Sequence, residues 1–129
     1  MSRPIVERIL YVEDDPDIRT VAAFALQAVG GFTLRVCASG AEALEGAAAF
    51  RPDLILIDVM MPGMDGPSTL SALRGLPETA GTPAIFMTAK VQPSEVARYK
   101  EMGAVDVIPK PFDPMTLAAT VRAIFARLG

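Results

Sequence analysis

Histidine is absent from this 129-residue chain, and with it go the commonest general base, the commonest metal ligand and a nitrogen carrier for phosphoryl groups. Any reactive site must be built from carboxylates, hydroxyls and lysine. Cysteine is nearly absent as well. The single Cys37 allows no internal disulfide and lies in an apolar stretch, which fits a reducing compartment and a core position. Basic runs are missing too: with 12 Lys and Arg against 15 Asp and Glu, and a net charge of −3, the chain lacks the clustered cations that neutralise phosphates. Direct nucleic-acid binding is not expected. No apolar run is long enough to span a bilayer, and Met1 to Arg8 lacks the charged-then-apolar layout of a signal peptide. The expectation is a cytoplasmic protein with no membrane partner. There is no linker, low-complexity tract or internal repeat, so residues 1–129 read as one domain of ordinary length.

What is present begins with a composition of 51% hydrophobic and 21% charged residues, that of a core-forming chain. Ile9 to Val12, Leu54 to Ile57 and Ala84 to Met87 are short unbroken apolar runs, as in strands covered on both faces of a parallel sheet. Phe32 to Val36 and Val105 to Ile108 are interrupted by Thr33, Arg35 and Asp106, the pattern of half-exposed edge strands. Pro109 agrees, because proline is tolerated at an edge.

Helical stretches lie between these runs. Asp15-Pro16 opens the first, with Ile18, Val21, Ala22, Ala25 and Val29 on one stripe that stops at Gly30-Gly31. Ser39 with Glu42 forms a capping box for the second. Pro67 sits in the first turn of a third that presents Leu70 and Leu73, and Pro93 in that of a fourth carrying Val96 and Tyr99. Asp113-Pro114 opens the last, with Leu117, Val121, Ile124 and Leu128 facing inward. Strand and helix thus alternate five times, and right-handed crossovers leave few topologies for that pattern. The predicted fold is α/β, a flavodoxin-like (βα)5 three-layer sandwich with a five-stranded parallel sheet of order 2-1-3-4-5. That order puts the two polar strands at the edges and the first strand beside the third.

Chemistry-bearing residues recur at the ends of the strands. Glu13 and Asp14 follow the first, Asp58 the third, Thr88 the fourth and Lys110 the fifth, and in an open parallel sheet these ends face one cleft. Carboxylates gathered there repel unless a cation neutralises them. Oxygen donors without His or Cys favour a hard divalent ion, and Mg²⁺ fits best. Read alone, Glu13 to Asp17 is also what a solvated loop with a helix cap looks like. Asp58 stands out further, since a carboxylate at the rim of a buried strand is either paired or functional. As a nucleophile it takes a phosphoryl group to form an aspartyl phosphate. Thr88, with the small Ala89 beside it, offers a hydroxyl to a phosphoryl oxygen, although a strand-end threonine is ordinarily structural. Lys110, held between Pro109 and Pro111, is placed to pair with Asp58 at rest and with a phosphoryl oxygen afterwards. Met60 to Gly66 is a turn-rich loop whose methionines are packing residues by default.

Ile9-Leu10-Tyr11-Val12-Glu13-Asp14-Asp15, then Pro52 through Asp58 to Met60-Met61-Pro62-Gly63-Met64-Asp65-Gly66, then Met87-Thr88-Ala89 and Lys110-Pro111-Phe112 follow in that order. Over nearly its whole length the chain closely resembles the receiver domain of bacterial two-component response regulators. The resemblance implies that Asp58 accepts a phosphoryl group from a phosphohistidine on a histidine kinase or histidine phosphotransfer protein. It implies that Asp14 binds Mg²⁺ directly, Glu13 through water and Met60 through its backbone carbonyl, beside Asp58, while Thr88 and Lys110 contact the phosphoryl group. Such a domain is no enzyme beyond its own phosphorylation and dephosphorylation. Lys110-Pro111 is expected as a cis peptide. The family's switch, a local charge event biasing a two-state element, draws Thr88 toward the phosphoryl group and rearranges the face of the fourth helix, fifth strand and fifth helix. One position departs: the aromatic residue usual three places before the lysine is Val107 here, so its rotation has no counterpart. With the chain stopping after the fifth helix, the expectation is a stand-alone receiver with no output domain, signalling through a downstream protein target.

Rival readings fit the residues less well. A phosphatase of the haloacid dehalogenase type shares the aspartate nucleophile and Mg²⁺ but needs a second acid two residues on, where Met60 stands. A flavodoxin needs hydroxyls and amides for its flavin phosphate, where this first loop is acidic. The remaining alternative is a receiver-like interaction module that is never phosphorylated.

Overall fold

The computed structural model describes residues 6–128. Met1 to Ile5, most of the segment read as lacking a leader layout, and Gly129 lie outside the described residues. Strands β1 (Arg8–Val12), β2 (Thr33–Cys37), β3 (Leu54–Asp58), β4 (Ala84–Thr88) and β5 (Asp106–Pro109) alternate with helices α1 (Pro16–Phe24), α2 (Gly40–Phe50), α3 (Gly66–Leu73), α4 (Pro93–Glu101) and α5 (Leu117–Ala126). All neighbouring strands are parallel, in the order β2-β1-β3-β4-β5 expected of the flavodoxin-like class. The order has a physical cause. Every residue of β3 and β4 is buried, so both need neighbours on either side, whereas Thr33, Arg35 and Val36 of β2 and Pro109 of β5 are exposed and suit an edge. No helix among the described residues is long and apolar enough to cross a membrane.

The sheet separates two cores by simple alternation along its strands. Ile9, Tyr11, Leu54, Leu56, Ile85 and Met87 pack with residues of α1 and α5. Leu10, Val12, Ile55, Ile57 and Phe86 pack with Ala43 and Ala47 of α2, Leu70 and Leu73 of α3 and Tyr99 of α4. Cys37 is buried in the second core, as its apolar surroundings predict.

Side-chain caps set where several helices begin, and the first of them borders the cleft above the sheet. Asp15 Oδ1 accepts from the N–H groups of Asp17 and Ile18 at 2.9 and 3.2 Å, with Pro16 in the first turn of α1. Asp65 Oδ1 accepts from Ser68 N–H at 2.8 Å and starts α3. The capping box of α2 closes one residue early: Ser39 accepts from Glu42 N–H at 3.2 Å, but the Glu42 carboxylate takes Ala38 N–H at 2.7 Å.

Two expectations need correction. The buried side of the first helical stretch is Ala22, Ala25 and Leu26, while Val21 and Val29 are each 44% exposed. Val21 lies at the margin of the stripe, where it lines an apolar hollow with Ile18, Pro111 and Phe112. Val29 is turned out because the backbone widens into a π turn over Ala25–Val29, with Gly30 N–H donating to Ala25 O at 3.0 Å. A wider turn shifts all later side chains out of phase with a 3.6-residue stripe. At the other end α5 begins at Leu117. Asp113 caps a preceding turn instead, accepting from Met115 N–H at 2.9 Å. Leu128 falls beyond the helix and is exposed, and Ala118 joins Leu117, Val121 and Ile124 on the inner face.

Candidate functional site

Strand pairing builds the site. Val12 stands opposite Ile57, so one step further along the chain Glu13 arrives beside Asp58; Asp58 is itself paired with Met87, and Thr88 with Pro109. Glu13, Asp14, Asp58, Met60, Thr88 and Lys110, the residues named from sequence, all line one open cleft of about 310 Å³ together with Asp15, Ile18 and Ala89. Carboxylate oxygens of Glu13, Asp14 and Asp58 lie within 4.8 Å of one another. Glu13 is fully buried and Asp58 is 3% exposed, while Asp14 is half-buried.

Lys110 does more than expected. Its Nζ donates to Asp58 Oδ1 at 2.8 Å and also to Glu13 Oε1 at 3.0 Å, so one ammonium spans two of the acids. The Lys110-Pro111 peptide is cis, as the resemblance implied. Thr88 is 2% exposed, and its Oγ1 accepts Lys90 N–H at 3.1 Å, which leaves the hydroxyl proton for a partner in the cleft. The donor set is carboxylate oxygen without imidazole or thiol, closely grouped and largely buried, and it fits a hard divalent cation such as Mg²⁺.

Residues 9–122 match the family model described as the response regulator receiver domain. The chain belongs to that family. It is 39% identical over 121 residues to the DNA-binding response regulator MtrA of Mycolicibacterium smegmatis, an alignment covering 94% of this chain and 51% of MtrA. To the transcriptional regulatory protein CseB of Streptomyces coelicolor it is 38% identical over 121 residues, covering 94% of this chain and 50% of CseB. The chain spans about half the length of these curated relatives. The solved structure of the chemotaxis response regulator CheY4 of Vibrio cholerae superposes with a TM-score of 0.84 at 32% identity, over 93% of this chain and 99% of CheY4.

The electrostatics of this receiver follow from burial and one shared amine. Desolvation pushes the Glu13 carboxyl above the usual carboxylate range, and the Asp58 charge adds to that, against the pull of Lys110. Burial by itself favours loss of the Lys110 proton, yet the hydrogen bonds to Asp58 and Glu13 outweigh it and hold the ammonium above the ordinary lysine value. Glu13 is further tied by Asp15 N–H, which donates to Oε2 at 3.3 Å. The Asp14 carboxylate has no hydrogen-bond or ion-pair partner among the described residues.

Sequence reasoning passed over three residues that shape the receiver's cleft. Arg19, one turn into α1, donates from Nη1 to the carbonyls of Glu13 and Asp14 at 3.0 and 3.2 Å. A basic residue one turn after an acidic loop and cap was the available signal. Gly66 lets the β3–α3 connection fold back onto the strand, since a Cβ there would sit 2.6 Å from Asp58 O. Tyr11 is fully buried with its hydroxyl unpaired, and burial, followed by the charges of Glu13 and Asp58, drives its phenol pKa upward. Val107 is half-buried against the second core, where Tyr99 meets Phe86 edge-on at 90° with ring centroids 5.7 Å apart.

Proposed function

We propose that Asp58 is the phosphoacceptor of this receiver, taking a phosphoryl group from a phosphohistidine of a histidine kinase or histidine phosphotransfer protein in a Mg²⁺-dependent step. The phosphorylated domain then signals by contact with a downstream protein. The observation that carries the reading is the buried Asp58 carboxylate held 2.8 Å from Lys110 at the edge of a tight acidic group. A buried acid of this kind is retained at a cost in desolvation, and it lines the open cleft.

The residues divide the work by position. Asp14, Asp58 and the Met60 carbonyl would hold Mg²⁺, with Glu13 acting through water, and the ion would neutralise the incoming phosphoryl charge. An Asp58 carboxylate oxygen attacks phosphorus, the P–N bond of the phosphohistidine breaks, and the imidazole leaves neutral after taking a proton from solvent. Lys110 exchanges its bond to Asp58 for one to a phosphoryl oxygen while keeping Glu13 at 3.0 Å, so the ammonium never loses its counter-charge. Thr88 donates its free hydroxyl proton to a second phosphoryl oxygen and still accepts Lys90 N–H. The DNA binding named for MtrA belongs to a protein of about twice this length. The net charge of −3 here makes a protein target, rather than nucleic acid, the partner of these residues.

Mg²⁺-dependent labelling with acetyl phosphate, followed by intact mass measurement, tests the reading. One phosphoryl adduct on the parent and none on Asp58→Asn is the expected result. An unlabelled parent, or an adduct that survives the substitution, would leave a receiver-like module that is never phosphorylated.

A further inference from the structure

We propose that Arg19 is a positioning residue for the acidic loop: its side chain holds the backbone of Glu13 and Asp14 so that the Asp14 carboxylate stays aimed at the cation site. The inference rests on reading Glu13, Asp14 and Asp58 as that site.

Arg19 grips three successive carbonyls. Nη1 donates to Glu13 O at 3.0 Å and to Asp14 O at 3.2 Å, and the Arg19 backbone N–H donates to Asp15 O at 2.9 Å. Nη1 carries two protons, so both side-chain bonds are made by one nitrogen without sharing a proton. The bonds are charge-assisted and the side chain is half-buried, which makes them stronger than neutral ones. Fixing the carbonyls of residues 13 and 14 fixes the peptide planes on both sides of the Asp14 Cα, and with them the direction of its side chain.

Asp14 needs that help more than its neighbours do. Asp58 projects from the end of a fully buried strand. Glu13 is tied by Lys110 and by Asp15 N–H. Asp14 has no side-chain partner among the described residues, so its aim is set by the loop backbone alone. Outer groups that orient a metal ligand typically govern affinity as strongly as this arrangement requires.

The positioning role has an unusual sign. A guanidinium bonded to the carbonyls of Glu13 and Asp14 also repels an incoming cation, so its charge alone would make Mg²⁺ bind less tightly. Removing Arg19 therefore tightens Mg²⁺ binding if charge dominates and weakens it if positioning dominates. A brace that merely supports α1 lowers the unfolding temperature and leaves affinity unchanged.

Calorimetric Mg²⁺ titration of the parent, Arg19→Met, Arg19→Gln and Arg19→Lys separates these cases without phosphorylation. The expected result is an Mg²⁺ dissociation constant raised about tenfold in Arg19→Met and Arg19→Gln, with a smaller rise in Arg19→Lys, whose ammonium can reach one of the carbonyls. Amide NMR shifts of Asp14 and Asp15 should move in the same order. Unchanged affinity with a lower unfolding temperature, or tighter binding in the uncharged variants, overturns the proposal. Should Arg19→Met fail to fold, Arg19→Lys, which keeps the charge, decides between the outcomes. A parent that binds no Mg²⁺ overturns the cation reading and this inference with it; a parent that binds while its Arg19 variants match it overturns this inference alone.

Discussion

Replacing Lys110 with methionine keeps most of the side-chain stem and deletes the ammonium that Glu13 and Asp58 share. In metal-free solution the variant holds three carboxylates with oxygens within 4.8 Å and no amine bonded to them. Removing one partner of a buried ion pair costs about 3–5 kcal/mol. The Lys110 side chain is 17% exposed against 1% and 4% for its two partners, and Glu13, already displaced toward protonation, takes up a proton more readily once the amine is gone. Both effects place the loss at the low end, about 3 kcal/mol. At roughly 4 °C per kcal/mol for a domain of this size, Tm falls by about 12 °C. Thermal unfolding followed by circular dichroism near neutral pH, with chelator and with millimolar Mg²⁺, measures it. The deficit should be full in chelator and distinctly smaller with Mg²⁺, because the added ion supplies the missing positive charge. It should also narrow as pH falls: a carboxyl with a raised folded pKa contributes stability at low pH and loses it as pH rises through that value. A fall of less than about 4 °C in chelator, or an equal deficit with and without Mg²⁺, would refute the view of Lys110 as the resting counter-ion.

Asp14→Asn removes the acid that lacks a partner among the described residues, so relief of repulsion should leave Tm in chelator equal to or above that of the parent while Mg²⁺ affinity drops; a clear loss of Tm in chelator contradicts this. Gly66→Ala puts a Cβ 2.6 Å from Asp58 O and 2.9 Å from Val59 Cα, both backbone atoms at a buried strand end. The expected loss is about 2–3 kcal/mol, read as a lower denaturant midpoint, and a midpoint equal to the parent's would show that the loop yields freely. The raised Lys110 pKa gives stability that is complete below the ordinary lysine value of 10.5 and lost as pH climbs through the higher folded value. The parent's stability curve should therefore fall more steeply above that pH than the curve of Lys110→Met, and parallel curves would contradict the assignment.

Much of this was legible because a strand covered on both faces must be apolar throughout. Ile9 to Val12, Leu54 to Ile57 and Ala84 to Met87 mark β1, β3 and β4 for that reason, and strand order followed from the polarity of the other two. The ends were less legible. Asp58 and Thr88 belong to their strands because parallel pairing extends to them, with Val59 N–H donating to Met87 O and Lys110 N–H to Thr88 O, and such bonds leave no trace in hydropathy. The convergence of Glu13, Asp14, Asp58, Thr88 and Lys110 was readable, since parallel strands deliver their ends to one side. The bridge from Lys110 to Glu13 was not, because it joins residues 97 apart and depends on the reach of one side chain. Nor does any residue type announce the π turn at Ala25–Val29, where packing against α5 decides: a Cβ on Gly30 would meet Ala118 Cβ at 2.6 Å. Arg19 escaped notice because its partners are main-chain carbonyls, which every residue possesses.

The attachment of α4 is lighter than that of the three helices α2, α3 and α5. Helices α2, α3 and α5 each bury four residues, whereas α4 buries Tyr99 alone, against the edge of Phe86. Truncating a buried aromatic ring costs about 3–5 kcal/mol, at or below the lower end of the roughly 5–15 kcal/mol that holds an ordinary domain together. Undocking α4 is thus cheaper than unfolding the sheet beneath it. Where an aromatic on the last strand would add a second peg, Val107 offers a short branched stub. Tyr99 is the one buried anchor of the helix, beside the half-buried Val96, so loosening that ring from Phe86 weakens the hold on the whole segment from Pro93 to Glu101.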